Sequence, residues 1–296
     1  MTTPWSTDRL GDLTGRRIIV TGATNGVGLG TAAALTRAGA HVILAVRNTD
    51  LGRQRAAEIG GSTSVLHLDL ADLASVRAFP DLIDGDVDIL INNAGVVTQH
   101  RTETVDGFEM TLGTNMLGPF ALTNLLLGRV RSQIINVGSE AHRSARWQPD
   151  DMHLRRRRWT PMGAYSRSKL AVMLWGLELD RRLRAGGSPV VSQLTHPGWV
   201  ASNLSSVSDT PVMSLAHRAI KAAAGRLANG IDEGAAPTLY CISEPIPPGS
   251  YVGVSGRLGL RGGPVLIGRS VLACDYRAAA ELVAFAEAET GTELAV

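Results

Sequence analysis

Two cysteines in 296 residues, Cys241 and Cys274, are too few and too far apart for a disulfide framework or a thiolate zinc site, and they suit a reducing compartment. Lysine is almost missing as well: Lys169 and Lys221 are the only two, so nearly all the positive charge is arginine. No run approaches the roughly 18 consecutive apolar residues of a membrane helix, and the opening MTTPWSTDRL has no apolar stretch of the signal-peptide kind. Neither sign of charge prevails. Lys plus Arg number 29 against 27 Asp plus Glu, a formal net charge of +2, which points to neither nucleic acid nor anionic lipid as a partner. The seven histidines show no H-E-x-x-H spacing, so metal-assisted hydrolysis is disfavoured and no metal is expected. What is present, 44% hydrophobic against 19% charged residues, is enough for one large core, and the expectation is a cytoplasmic protein with no integral membrane segment.

Short β-branched runs alternate with longer helical stretches through the first two thirds of the chain. Strands are expected at Arg17–Thr21, His41–Val46, Ser64–Leu68, Val87–Asn92, Gln133–Val137 and Val190–Thr195, with a late one at Tyr251–Val254. Most are continuous apolar runs, as in parallel strands covered on both faces. Helices are expected at Val27–Ala38, Thr49–Ile59, Leu73–Phe79, Gly107–Leu127, Met162–Arg184, Pro211–Leu227 and Tyr276–Glu289. This is an α/β pattern: a single Rossmann-type doubly wound parallel sheet with helices on both faces. The one charge block, Arg155 to Arg158, is short and reads as a solvated loop.

Directly after the first strand comes TGATNGVG, which places Gly22, Gly26 and Gly28 across the turn into the first helix. Glycine lets backbone N–H groups approach a pyrophosphate, and the helix N-terminus favours the anion. The spacing is not G-x-G-x-x-G, so a merely tight connection is the competing reading. At the end of the second strand, Val46 is followed by Arg47 where an acidic residue would hold an NAD ribose. A guanidinium there suits a 2′-phosphate, so NADP(H) is preferred over NAD(H); alternatively Arg47 only starts the next helix, facing water. Tyr165 and Lys169, four apart in AYSRSK, share a helix face. A neighbouring ammonium favours phenolate over phenol, so Lys169 is expected to lower the Tyr165 pKa and fit it for proton transfer, unless the two are only a surface pair.

TGATNGVG, NNAG at Asn92–Gly95, Asn115, Ser139, YSRSK and HPG at His196–Gly198 occur in the order seen in short-chain dehydrogenases/reductases, and the chain resembles that superfamily over nearly its whole length. LDLADLASVR at Leu68–Arg77, TNMLGPFALT at Thr114–Thr123, IINVGSEAH at Ile134–His142 and the late LRGGP and ETG stretches resemble the retinol dehydrogenase-like group. The resemblance implies a single domain over residues 1–296, with a cofactor and catalytic core at 14–198, a substrate cover at 199–230 and a C-terminal extension at 231–296. It implies that Gly22, Thr24, Asn25, Gly26, Val27 and Gly28 bind the cofactor, with the glycines at the pyrophosphate. Arg47 would face the adenosine phosphate, Asp69 and Leu70 the adenine, Asn92, Ala94 and Gly95 the ribose floor, and Pro197 and Gly198 the nicotinamide. Ser139 would hydrogen-bond the substrate oxygen, Tyr165 act as general acid/base, Lys169 bind the nicotinamide ribose and tune Tyr165, and Asn115 hold a relay water.

Gly138 stands where many relatives carry a second Ser, and Ser202 holds a place where relatives often have a Thr near the nicotinamide amide. Trp147, Met162, Trp199, Leu204, Val207, Val212, Met213 and Leu215 make the substrate side apolar, which suits a lipophilic alcohol or carbonyl or, equally, packing of the cover on the core. The resulting expectation is an oxidoreductase moving hydride between nicotinamide and such a substrate. A non-catalytic NADP(H) sensor is the alternative, and an assembly of like chains is left open. Intact Ser139, Tyr165 and Lys169 favour the enzyme.

Overall fold

A computed structural model of the chain describes residues 5–200, 230–256 and 259–295. Eight strands, β1 Arg17–Thr21, β2 His41–Val46, β3 Thr63–His67, β4 Val87–Asn92, β5 Val130–Val137, β6 Val191–Thr195, β7 Tyr251–Val254 and β8 Pro264–Leu266, form one sheet in the order β3-β2-β1-β4-β5-β6-β7-β8. All neighbours are parallel except β7 and β8. The chain winds outward from β1 in one direction and from β4 in the other, so the C-terminal ends of β1 and β4 flank a crevice where ligands of open α/β sheets bind.

The continuous apolar strands explain the two covering layers. In β1, Ile19 faces one apolar layer and Ile18 and Val20 the other; β4 and β5 divide likewise, Leu90 and Ile134 against Ile91 and Ile135. One layer holds α1 Gly26–Arg37, α2 Thr49–Ile59 and α7 Ile231–Ser243. The other holds α3 Leu73–Ala78, a helical run from α4 Met110–Leu112 to α5 Gly118–Leu126, α6 Pro161–Ala185 and α8 Tyr276–Thr290. In this second layer Phe120 of α5 meets Trp175 of α6 edge-on, with centroids 5.8 Å apart. Among the described residues no helix is long and apolar enough to cross a membrane.

The bounds differ from expectation at places with local causes. The expected Gly107–Leu127 helix starts only at Met110, because Gly107 at φ 82 turns the chain back and the Glu109 carboxylate then caps Leu112 N at 2.8 Å. It also contains a π turn at Gly113–Leu117. Helix α3 stops at Ala78 and the chain tightens into a 3₁₀ turn at Phe79–Leu82, because Pro80 has no N–H to carry the α-helical bonding onward. Strand β5 begins three residues earlier than expected, at Val130, β3 shifts by one residue, and β6 starts one residue later. Helix α7 and strand β8 were not anticipated. The expected Pro211–Leu227 helix and most of the 199–230 cover lie outside the described residues.

Candidate active site

The glycine turn is held closed by the end of β4. Gly22 and Gly26 adopt φ 67 and 52, and Gly22 N donates to Ala45 O at 2.9 Å. A Cβ on Gly28 would lie 2.3 Å from Asn93 Nδ2 and 2.6 Å from Gly22 O, so only glycine fits. Asn93, not singled out as a site residue from the sequence, is the clamp: its Nδ2 donates to Thr21 O at 2.8 Å, and Asn93 N and Ala94 N both donate to Thr21 Oγ1 at 3.0 Å. Asn25 precedes α1 in extended backbone and makes no side-chain cap, so the first-turn N–H groups of α1, Val27 and Gly28 among them, are left for an anion. The Asn25 amide lies instead 3.4 Å from Thr24 Oγ1. The cradle therefore fits a pyrophosphate.

Arg47 lies outside helix α2: Asn48 is the cap, accepting from Leu51 N at 3.0 Å, and the helix proper starts at Thr49. The pairing of Thr21 with Ala45 sets Arg47 level with the turn at 23–25. It is exposed and makes no ion pair with another described residue, whereas Arg55 of α2 donates to Thr24 O at 3.2 Å and braces the same turn. Past β3, Asp69 accepts from Ala71 N at 2.9 Å, and the Leu70 carbonyl packs on Gly118, where a Cβ would come within 2.2 Å of it.

The Asn92 side chain is used inside the fold: its Nδ2 donates to Thr123 Oγ1 at 2.9 Å and Asn136 Oδ1 at 2.8 Å, which turns the carboxamide into the layer between sheet and α5. A polar group ending a buried strand needs such partners. Gly95, in contrast, sits where the other groups converge: a Cβ there would be 3.4 Å from Asn115 Oδ1 and 3.7 Å from Lys169 Nζ. Asn115 lies in the π turn, a helix form frequent at functional sites. Its Oδ1 accepts from Val96 N at 2.7 Å and its Nδ2 donates to Val96 O and Ser168 Oγ, so the side chain clamps the segment after β4 to α6.

Ser139 follows β5 and caps a 3₁₀ turn at Glu140–Ser144, its Oγ accepting from Ala141 N at 3.2 Å. Helix α6 starts at Pro161 with Thr160 Oγ1 capping Gly163 N at 3.1 Å, which sets Tyr165 and Lys169 in its first turns. Buried Lys169 donates to Val137 O at 2.8 Å, and its ammonium is 5.7 Å from the Tyr165 ring centroid. Burial pushes Lys169 down to about 8. The sequence led to a lowered Tyr165; burial instead raises it, with the Ser139 hydroxyl working against the rise. Desolvation penalises the phenolate more than the hydrogen bond with Ser139 favours it.

Pro197 and Gly198, the latter at φ 72, follow β6, while buried His196 donates from Nε2 to Gly259 O at 2.9 Å. Exposed Met162 lines an open cleft of about 490 Å³ with Thr160, Ser166 and the arginines Arg146, Arg157, Arg158 and Arg167, and neither Ser139, Tyr165 nor Lys169 borders it; Trp199, just past β6, is 47% exposed. Trp147 packs on the core and donates to Glu281 at 3.1 Å. Ser202, Leu204, Val207, Val212, Met213 and Leu215 lie outside the described residues. The Arg155–Arg158 block is largely ion-paired, Arg156 and Arg157 each 3.0 Å from Asp150. The turn after β1, the ends of β4, β5 and β6 and the start of α6 thus gather on one side of the sheet.

A family model described as short chain dehydrogenase matches residues 16–211. Retinol dehydrogenase 13 of Homo sapiens is 43% identical over 202 residues, 64% of this chain and 60% of that protein, so the match spans about three fifths of that relative. A crystal structure of an uncharacterized protein of Mycobacterium paratuberculosis is 42% identical, covers 99% of this chain and 100% of that one, and gives a TM-score of 0.85. A structure from Beutenbergia cavernae, described as an NAD(P)-dependent gluconate 5-dehydrogenase with bound NADP, is 25% identical over 77% of this chain and 90% of that one, with a TM-score of 0.59.

Proposed function

The chain belongs to the short-chain dehydrogenase family, and from that premise we propose that it is an NADP(H)-preferring oxidoreductase acting on a lipophilic alcohol or carbonyl, with Tyr165 as general acid/base. The observation that carries this reading is the convergence of Tyr165, Ser139, Lys169 and Asn115 near a glycine turn so tight that a Cβ at Gly28 would clash with Asn93 and the Gly22 carbonyl. Asn25, Gly26, Val27 and Gly28 would hold the pyrophosphate, Arg47 the 2′-phosphate, and Lys169 the nicotinamide ribose. When bound, the nicotinamide supplies or takes the hydride.

The protein's own part is proton transfer and orientation. Ser139 Oγ and the Tyr165 hydroxyl hold the substrate oxygen; in reduction the Tyr165 proton passes to that oxygen as hydride reaches the carbon. A phenol raised by burial is fully protonated at neutral pH, which suits the acid role in reduction. Lys169, with one N–H on Val137 O, has two left for the ribose and a relay toward Asn115. Exposed Trp199, just past the Pro197–Gly198 turn at the end of β6, supports an apolar substrate. The test is a turnover screen with NADPH and NADH over lipophilic aldehydes, ketones and alcohols. Turnover with one of them, faster with NADPH, is expected, and none with either cofactor would contradict the reading.

A further inference from the structure

We infer that His142 is a positioning residue for Ser139, bridging the Ser139 carbonyl to the main chain at Ser270, so that the segment after β8 sets the geometry at the substrate oxygen. This rests on the reading of Ser139 as the group that holds that oxygen. His142 Nδ1 is 2.6 Å from Ser139 O, and Ser270 N is 3.3 Å from His142 Nε2. A carbonyl only accepts and an amide N–H only donates, so the two contacts together demand one neutral tautomer, protonated at Nδ1 and bare at Nε2. The ring is 1% exposed, and Tyr251 meets it edge-on at 5.9 Å and 80°, which blocks its rotation.

The same short turn is tied to the C-terminal segment twice more. Tyr251 donates its hydroxyl to Glu140 at 3.3 Å, and Arg143 reaches both Glu140 and the Gly268 carbonyl. None of these contacts involves Ser139 Oγ, which accepts from Ala141 N and keeps its own O–H for the site.

Protonation of His142 would set a second N–H against the Ser270 N–H and break the bridge. The groups facing it pull in both directions. Burial, Arg143 and Arg269 disfavour the imidazolium, the Ser139 carbonyl and Glu140 favour it, and neighbouring His196 is itself held below its ordinary value. The net direction is downward from 6.5, so the neutral bridge persists at neutral pH and fails only on the acid side.

The experiment compares kcat, KM and NADPH affinity for the parent, Ser139→Ala, His142→Leu and His142→Asn across about pH 5 to 9. Asparagine places an amide N–H near the Nδ1 position but does not titrate. The expected result is a kcat loss of about tenfold or more in His142→Leu with NADPH affinity kept, recovery of most of it in His142→Asn at neutral pH, and no acid limb in His142→Asn. Parental kcat in His142→Leu beside an inactive Ser139→Ala would overturn this inference alone. Parental kcat in Ser139→Ala would overturn the reading of Ser139 and the inference with it. Should His142→Leu not fold, ¹⁵N-histidine NMR of the parent decides: a ring protonated at Nδ1 and titrating with the acid limb supports the bridge, and an Nε2–H tautomer refutes it.

Discussion

Arg47 and Tyr165 carry the two residue-level claims that are easiest to break. Arg47 is exposed, outside α2 and level with the glycine turn, so its guanidinium is free to meet a 2′-phosphate. Arg47→Ala should remove most of the preference for NADPH over NADH, about 1.5 to 3 kcal/mol, in paired calorimetric titrations, while leaving NADH affinity near parental. Tighter binding of NADH by the parent would contradict it. For Tyr165, the raised pKa predicts reduction that is flat through neutral pH and oxidation that climbs as pH rises toward the phenol's own range. An oxidative limb centred at about 6 to 7 would assign the base elsewhere. That Tyr165 and Lys169 meet on one helix face was readable from their spacing, but the sign of the tyrosine shift was not, because it depends on how far folding removes water from the ring. Asn93 and His142 escaped for a related reason: their partners, Thr21 and Ser270, lie 72 and 128 residues away.

Each element reports its own signal strength. Strands β1 and β2 run as expected because nearly unbroken apolar runs between turn residues leave one reading, and β4 and β7 match as well although Asp88 and Gly253 interrupt them. Helix α7 was hidden because Gly234, Ala235, Ala236 and Pro237 blur any apolar period, and it is recognised only by its packing on α1, where a Cβ at Gly30 would touch Ile231. The π turn was unreadable: nothing in GTNML distinguishes it from ordinary helix. At this scale the clamp between β1 and β4 is testable. Asn93→Ala leaves the Thr21 carbonyl without its side-chain donor and the glycine turn without its brace, so a stability loss of about 1 to 3 kcal/mol in denaturant titrations is expected together with weaker cofactor binding. Unchanged cofactor affinity would show that the turn holds its shape alone. In the opposite layer, Phe120→Ala should cost about 3 to 5 kcal/mol of stability, through the void left against Trp175.

For the whole molecule, the acid response follows from three buried histidines. His142, His153 and His196 are each held below 6.5, chiefly by burial. Below 6.5 the unfolded chain binds more protons than the folded one, so their contribution to stability is full above that pH and falls as pH drops toward the folded-state values. Denaturation midpoints should decline on that side, and a rise there would mean that these rings gain charge on folding. The central claim, proton transfer from Tyr165 coupled to hydride transfer from NADPH, is tested most directly by following NADPH absorbance with a lipophilic aldehyde in the parent and in Tyr165→Phe, after fluorescence titration of NADPH into both. Equal NADPH affinity with turnover lower by about 10² to 10⁴ in the variant is the predicted result. Parental turnover in Tyr165→Phe would contradict it.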